Sequence, residues 1–495
     1  MLRFIPGRSD SLRKPRWPDV GQREPTTVFS GRPPLRELTV LIDHSVLAED
    51  GGGPESLALL PGLLTHPYVQ LLRYADDGPP RDARRVAHPP LNVEVVPGWA
   101  ILSNRDAAPQ HQVVTTGDDD RCTQTAVSGN LPDVAEDDTS TNAYSDLDPE
   151  TRRKQRRADA MALQVARAVR ADVFVTRRPY LHAVSWARSD GVTLASPKEL
   201  LPLLSLYLRT QDEFITYRNA SGSFTRRMNR GLFYWVGARS LLPAGWRWFS
   251  ACVQHSHASG DDQLVFLAQS LFQRAQRALQ ARDEVHRALN TPQNNDVAED
   301  ALSSLDFVFL ALMGAIDVSA RVAHLALGVS DKPYEAGWQR DGWRKKVRRS
   351  SPTLAALVQQ GTVTAHQLTV LATLRNSIHG AALGALSVAD ADRREQTLVG
   401  LPHADSTKLM GAMNALGGPS AWGVRQVLPG RFHADPGQLL DKVFQEAVDL
   451  LNALMAATPV EQLKGVSIRP EDTVPPTDGW PDEHTCRSII SQLGF

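Results

Sequence analysis

At 495 residues, the chain is long enough for two or three domains, each with a sizeable core. Its hydrophobic fraction of 42% and charged fraction of 22% are typical of globular proteins. The formal net charge of -1 excludes a general electrostatic attraction to nucleic acid, so any RNA contact must come from local basic patches. The three cysteines, Cys122, Cys252 and Cys486, lie too far apart for a disulfide framework and favour a reducing compartment.

The N-terminal segment lacks the apolar core of a signal peptide, and residues 1–35 are predicted to be a flexible basic leader. The longest apolar run, Phe307–Ile316, is far shorter than the ~20 residues that span a bilayer. The sequence therefore predicts a cytoplasmic protein with no membrane contact.

Strand and helix patterns alternate over residues 36–210 and predict an α/β module with a mostly parallel sheet. The expected strands are residues 38–43, 91–96, 171–176 and 191–195. The expected helices are residues 54–73, residues 152–170 and a helix that begins at Ser196, with Pro197 in its first turn. The polar, acidic composition from about residue 105 to 150 predicts a disordered insertion in this module.

Long helical patterns replace the strand patterns after residue 210. These patterns cover residues 261–288, 299–327, 364–386 and 437–456. We therefore expect a helical connecting region over residues 211–298, an all-helical domain over 299–460 and a loose extension over 461–495.

Two basic clusters, residues 152–157 and 344–349, are interpreted as solvated helix faces, with phosphate contact as the alternative. The aromatic residues of segment 226–252 are interpreted as core and not as a platform for stacked bases. The sequence contains no Walker A loop, no G-x-G-x-x-G and no G-x-S-x-G. Nucleotide hydrolysis and serine hydrolase chemistry therefore have no support.

Two acids are expected near the carboxyl edge of the predicted sheet. Asp43 ends the first strand, and Asp159 lies on the helix that leads into the strand at 171–176. Ligands of doubly wound sheets bind beyond the carboxyl ends of the strands, and converging carboxylates suit Mg²⁺ or Mn²⁺. Such an ion could activate water and stabilise charge on a phosphate. The alternative is that Asp43 is only a turn acid, and a separation of the two acids above ~10 Å would exclude a shared ion.

The order of these segments resembles the PIN domain, a family of metal-dependent ribonucleases that includes many bacterial toxins. The segments that carry the resemblance are the strand ending in Asp43, Ala158-Asp159, Ala171-Asp-Val-Phe-Val-Thr176 and Gly191-Val-Thr-Leu-Ala-Ser-Pro-Lys-Glu-Leu200. The resemblance covers about residues 36–210. It implies that Asp43 and Asp159 are metal ligands and that Thr176 is the family's polar residue at a strand end.

The chain departs from the PIN pattern two residues after Thr176. The family usually has an acid or Asn there, whereas this chain has Arg178. Its cation could compete for the same carboxylates and weaken Mg²⁺ binding, or it could instead contact a substrate phosphate. The residues that could match the family's second acid are Glu94, Glu136 and Glu150, and the sequence does not choose among them.

A second group of candidate residues lies on the helix predicted around residues 364–386. Leu371, Leu374 and Ile378 form its apolar stripe. Arg375 and His379 are four residues apart and therefore project on the same side of the helix. Arg offers a fixed charged fork to phosphate oxygens, and His transfers protons near neutral pH.

Asn376 completes this group, because its amide could orient the phosphate or His379. With the RNA 2′-hydroxyl as nucleophile, such a group needs no metal or other cofactor. The alternative is that Arg375 pairs with an acid and that His379 packs or caps at a helix interface.

The Arg375-Asn-Ser-Ile-His379 segment resembles the catalytic motif of HEPN domains, helical ribonucleases of bacterial defence and toxin systems. The helix Leu305–Asp317, followed by Arg321, resembles an early helix of that fold, and the resemblance covers about residues 299–456. The family more often has four to six residues between Arg and His, whereas this chain has three. The resemblance implies a homodimer through the helical module.

Two functional hypotheses follow from these patterns. The first is a bacterial endoribonuclease, a toxin or phage-defence effector that acts on RNA and answers to a cognate inhibitor or sensor protein. It would cleave RNA at the PIN-like metal site, at the HEPN-like site, or at both. The second is a non-catalytic interaction or scaffold protein that uses both folds without their chemistry.

Overall fold

A computed structural model of the chain divides into two compact units, residues 1–228 with 483–495, and residues 229–482. It describes residues 37–43, 46, 60–74, 86–88, 93–95, 98–103, 113–117, 122–127, 129–188, 192–218, 224–291, 295–330, 332–380, 383–389, 395–476 and 478–495. The predicted leader over residues 1–35 lies outside these ranges.

The first unit is built on a seven-stranded sheet with the strand order β7-β6-β5-β2-β1-β8-β9. The strands of this unit are β1 Leu38–Asp43, β2 Val69–Tyr74, β3 Val86–His88, β4 Val93–Val95, β5 Gly98–Ser103, β6 Val113–Gly117, β7 Cys122–Ala126, β8 Val173–Val175, β9 Thr193–Ala195, β10 Ile215–Arg218 and β11 Phe224–Arg227. Pairing is parallel from β5 through β2, β1 and β8 to β9, and antiparallel at β5-β6-β7. The pairs β3-β4 and β10-β11 form separate two-stranded sheets.

Helices cover both faces of this sheet. They are α1 Leu60–Leu64, α2 Leu131–Asp137, α3 Pro149–Ala168, α4 Pro179–Ala183 and α5 Pro197–Thr210. Leu41 and Phe174 pack on one face with α3, while Val40 and Ile42 pack on the other with α5. Because strands of a parallel sheet are buried on both faces, their sequences are continuously apolar. The coarse prediction of an N-terminal α/β module with a mostly parallel sheet is confirmed.

Two local predictions in this unit were wrong, and a third was confirmed. In the described part of the chain, the helix expected over residues 54–73 is confined to residues 60–64, and residues 69–74 form the central strand β2, because its leucines pack in the sheet. The strand expected at 91–96 is present as β4 and pairs with β3. The acidic segment predicted to be disordered contains β6, β7 and α2, since β6 and β7 extend the sheet beyond β5.

The second unit is mainly helical. Its helices are α6 Arg230–Leu241, α7 Ala244–Ser259, α8 Gln263–Leu289, α9 Asn295–Ala326, α10 Asp341–Ser350, α11 Pro352–Leu357, α12 Val363–Gly380, α13 Ser406–Ala415 and α14 Pro436–Ala457. The hairpin of α8 and α9, of 27 and 32 residues, forms its longest helical element. By length and composition α9 could cross a membrane, but 61% of its most apolar window is buried in the unit, as in the core helix of a globular domain.

The expectation of an all-helical second module requires a correction. A four-stranded antiparallel sheet with the order β12-β13-β15-β14 lies within it. Its strands are β12 Ala385–Ala389, β13 Glu395–Gly400, β14 Val424–Leu428 and β15 Arg431–Ala434. Strands β14 and β15 are joined by Pro429 and Gly430, and the φ of +67° at Gly430 is one that glycine adopts at little cost.

The C-terminal residues are also more ordered than their composition predicts. Glu483–Gln492 form helix α15, which belongs to the first unit and packs on α5 and β10. Gln492 Nε2 donates to the Ile215 carbonyl at 2.8 Å, and Arg209 Nη1 donates to the Gln492 carbonyl at 3.2 Å. These buried polar contacts fix the helix that the sequence predicts to be a loose extension.

Candidate functional site

Asp43 and Thr176 meet at the carboxyl edge of the first unit's sheet. Strands β1 and β8 are parallel neighbours in which Ile42 lies opposite Val175, so the next residue of each strand comes side by side. Thr176 Oγ1 donates to Asp43 Oδ2 at 3.2 Å, and both residues are buried. Asp43 and Thr176 thus lie together at the carboxyl edge of the sheet.

Asp159 reaches the same place from helix α3. Asp148 caps this helix by accepting from the amides of Glu150 and Thr151, and Pro149 occupies its first position. Asp159 is fully buried, and its Oδ2 accepts a 2.8 Å hydrogen bond from the Tyr144 hydroxyl. Burial, followed by the Asp159 charge, raises the pKa of Tyr144, which therefore stays a hydrogen-bond donor.

Arg178 joins the two acids. Its Nε donates to Asp43 Oδ2 at 2.7 Å, and its Nη1 donates to Asp159 Oδ1 at 3.2 Å. Because one planar guanidinium contacts both carboxylates, the acids lie less than about 10 Å apart. The distance between the acids is thus compatible with a shared ion, but an arginine side chain lies between them.

Two of the three candidates for a further acid pair with basic residues on helix α3. Glu136 pairs with Arg157 at 2.9 Å, and Glu150 pairs with Lys154 at 2.6 Å. Glu94 lies on β4, outside the seven-stranded sheet. No set of three or more His, Cys, Asp or Glu residues suited to a metal occurs among the residues that the structure describes.

The basic cluster at residues 152–157 holds the segment before α3 in place. Arg152 donates to the carbonyls of Tyr144, Ser145 and Leu147. Arg156 is buried and donates to the carbonyls of Asp138 and Thr141. Both arginines donate hydrogen bonds to backbone carbonyls. This structural role explains the basic cluster without a nucleic-acid ligand.

The second candidate group lies on helix α12, as predicted. Thr362 Oγ1 caps the helix by accepting from the Ala365 amide at 3.1 Å. Leu371 and Leu374 are buried in the core of the unit, so the face that carries Arg375 lies at the edge of that core.

Of the candidate residues on α12, Arg375 and Asn376 are accessible at least in part. Arg375 is half-buried and Asn376 is exposed, and Arg375 Nη1 donates to Asn376 Oδ1 at 3.0 Å. His379 lies four residues after Arg375 within the same helix, although its side chain is outside the described part of the structure.

Asp317, on α9, faces the Arg375 side of the unit. The carboxylate is half-buried, and it makes no hydrogen bond or salt bridge in the part of the chain that the structure describes. Burial raises the pKa of Asp317, and the charges of four arginines oppose this shift. These arginines are Arg375, Arg321, Arg340 and Arg274.

The arginines around Asp317 come from four separate segments. Arg321 lies one turn beyond Asp317 on α9, and Arg375 comes from α12. The Arg274 guanidinium, from α8, lies directly over Gly314, where any side chain would collide with it.

Arg340 precedes α10 and donates from Nη1 to the Tyr334 carbonyl at 2.7 Å. We call Arg274, Arg321, Arg340 and Arg375 the arginine cluster. The charges of arginines from four segments thus act on the Asp317 carboxylate. Guanidinium groups gathered in this way suit a phosphate-bearing ligand.

Only part of this site is evident from the sequence. The α12 motif indicates Arg375, Asn376 and His379 as catalytic candidates, and Asp317 and Arg321 belong to the helix that resembles an early HEPN helix. Arg274 and Arg340 carried no local signal, since neither lies in a motif. The i, i+4 spacing of Asp317 and Arg321 was the one available hint that this face of α9 is charged.

Two other sequence features have structural roles in the second unit. In the cluster at 344–349, Arg344 donates to the Val358 carbonyl at 3.0 Å and Lys346 pairs with Glu335 at 2.6 Å. Among the aromatics of segment 226–252, Phe233 and Trp248 are fully buried, as the core interpretation requires.

We compared the chain with protein-family models, curated proteins and solved structures, and none of the three comparisons found a match.

Proposed function

We propose that the chain is an endoribonuclease whose active site lies on helix α12 of the second unit. The arginine cluster is the observation that carries this proposal. The charges of four arginines, Arg375 among them, act on the Asp317 carboxylate, and Arg375 donates to Asn376. RNA carries phosphates that the arginines would bind, and the predicted proton-transfer residue His379 would cleave its backbone.

In this proposal the RNA backbone binds across the arginine cluster. Arg375 holds the non-bridging oxygens of the scissile phosphate, and Asn376 orients that phosphate through its amide. His379 accepts the proton of the 2′-hydroxyl, whose oxygen bonds to the adjacent phosphorus and forms a 2′,3′-cyclic phosphate. The bond to the 5′-oxygen of the next nucleotide breaks, and that oxygen takes a proton from water and leaves as a 5′-hydroxyl. The reaction needs neither Mg²⁺ nor Mn²⁺.

A Mg²⁺ or Mn²⁺ ion held by Asp43 and Asp159 is the second candidate for RNA cleavage. The short distance between the two acids favours it, while the position of Arg178 between them does not. The non-catalytic scaffold hypothesis is supported by the same Arg178 contact, because it neutralises an acid pair without using it for chemistry.

The cellular role that we propose is growth arrest or phage defence in the cytoplasm. Regulation by an inhibitor or sensor protein, and a homodimer through the second unit, belong to the same proposal. They rest on the HEPN resemblance of the α12 motif.

Cleavage of a 5′-labelled RNA in EDTA, and again with Mn²⁺, tests the proposal. We expect cleavage by wild type in EDTA, with loss of on the order of 10² to 10⁴ in rate for His379→Ala. Arg469→Ala is the matched control, since Arg469 is an exposed arginine of the same unit whose side chain pairs with Glu471. If His379→Ala stays folded and cleaves at the wild-type rate, α12 is not the active site.

A further inference from the structure

Arg178 is held in one position by contacts on several sides. Its Nε and Nη1 point at Asp43 and Asp159, and its guanidinium lies 5.5 Å from the centre of the Tyr74 ring. Its own amide donates to Thr176 Oγ1 at 3.2 Å. The side chain is 12% exposed, against 6% for Asp43 and 0% for Asp159.

Arg178 compensates the negative charges of two buried carboxylates at the edge of the sheet. Two carboxylates buried close together repel each other, and each loses its hydration. Charge-assisted hydrogen bonds from one guanidinium compensate both carboxylates, as a bound cation would. Tyr144 donates to Asp159 as well, and Thr176 donates to Asp43.

The donor set does not fit the divalent ion that the PIN resemblance implies. Mg²⁺ requires near-octahedral oxygen ligands at about 2.0–2.1 Å. Here the facing oxygens of Asp43 and Asp159 are already directed at N–H groups of Arg178. A divalent ion at this place would meet the positive guanidinium at close range.

We propose that Arg178 takes the place of a divalent cation in the first unit. It is a built-in cation that joins β1, α3 and the start of α4 at the edge of the sheet. Pro179 supports this role, because it starts α4 directly after Arg178 and fixes the direction of the backbone. The proposal concerns the first unit alone and is independent of the RNA site on α12.

The first arm of the test uses Mn²⁺ as the probe with the full-length chain. Mn²⁺ is titrated into wild type and Asp43→Asn, with bound ion counted by electron paramagnetic resonance. We expect wild type and Asp43→Asn to bind the same small amount of Mn²⁺ per chain. Mn²⁺ binding by wild type that Asp43→Asn removes would overturn the proposal.

The second arm removes the arginine. Arg178→Ala exposes the two acids to one another, so we expect its melting temperature to fall and then to rise on addition of Mn²⁺. Wild type should show no such rise, and Arg178→Ala/Asp43→Asn should lose the rise seen in the single variant. A folded Arg178→Ala protein that does not respond to Mn²⁺ would contradict the proposal.

A further variant covers the case in which Arg178→Ala does not fold. Arg178→Gln keeps one N–H donor of similar reach without the charge, and it should show the same Mn²⁺-dependent rise. RNA cleavage in EDTA by the Arg178 variants is expected to equal wild type at temperatures where they are folded. Failure of the proposed nuclease function would appear in that assay and not in the Mn²⁺ titrations.

Discussion

The arginine cluster makes a quantitative prediction about salt. For single-stranded RNA, log K falls with log salt with a slope of about 0.7 per neutralised phosphate. If each of the four arginines neutralises one phosphate, the slope is about -2.8, a roughly 50-fold loss of affinity between 50 and 200 mM salt. Removing one arginine reduces the slope to about -2.1, a loss of roughly 20-fold over the same range.

The perturbations are Arg274→Ala and Arg321→Ala, neither of which alters the predicted α12 motif. The assay is fluorescence anisotropy with a labelled 2′-O-methyl oligonucleotide, which binds but lacks the nucleophilic hydroxyl. Both variants should show the smaller slope, whereas Arg469→Ala should keep the wild-type slope. Equal slopes for wild type and both cluster variants would refute the assignment of phosphate contacts to this cluster.

Three further predictions concern other parts of the molecule. Burial, followed by the charge of Arg227, lowers the pKa of His66 from 6.5 to about 3. The unfolded chain therefore binds more protons between these pH values, and the free energy of unfolding falls as the pH drops from 6.5 towards 3, by at most about 1.4 kcal/mol per pH unit. Urea unfolding at several pH values should show a smaller slope of the free energy of unfolding against pH for His66→Phe than for wild type. Equal slopes for the two proteins would contradict the role of His66. Tyr144→Phe removes the hydroxyl that donates to the buried Asp159 carboxylate, so it should lower the free energy of unfolding by about 1–3 kcal/mol. Calorimetry that finds the two proteins equally stable would contradict this prediction. His379→Ala should reduce RNA cleavage more than Asp43→Ala, and the reverse order of initial rates would move the active site to the sheet edge.

Local sequence signals predicted the parts of the fold that depend on neighbours in the chain. Ser196 and Glu199 form the capping box of α5, with Pro197 in its first turn. The run ending at Asp43 forms β1, and Leu371 and Leu374 of the apolar stripe of α12 are buried. Each of these features is set within a few residues, so the sequence alone is enough to recognise it.

Strand β2 shows why other elements were not predicted. Its sequence Val-Gln-Leu-Leu-Arg-Tyr follows a leucine-rich helical pattern, and its strand conformation depends on pairing with β1 along its full length. The acidic stretch behaves similarly, because β6 is stabilised by β5 on one side and β7 on the other. Such tertiary pairing overrides local propensity, which no single-sequence pattern reports.

The two candidate sites differ in the same way. Asp43 could be placed at the carboxyl edge of the sheet because it ends a predicted parallel strand. The sequence left two roles open for Arg178, competition for the carboxylates and contact with a substrate phosphate, and only the folded structure places it between the acids. Arg274 and Arg340 approach Asp317 only through the packing of α8 and the segment before α10.

RNA cleavage in EDTA by wild type, Arg375→Ala and His379→Ala tests the central claim most directly. The account predicts that wild type cleaves a labelled RNA in EDTA at the rate seen with Mg²⁺, and that both folded variants lose this activity. Cleavage that EDTA abolishes, that Mn²⁺ restores and that survives in His379→Ala would contradict it.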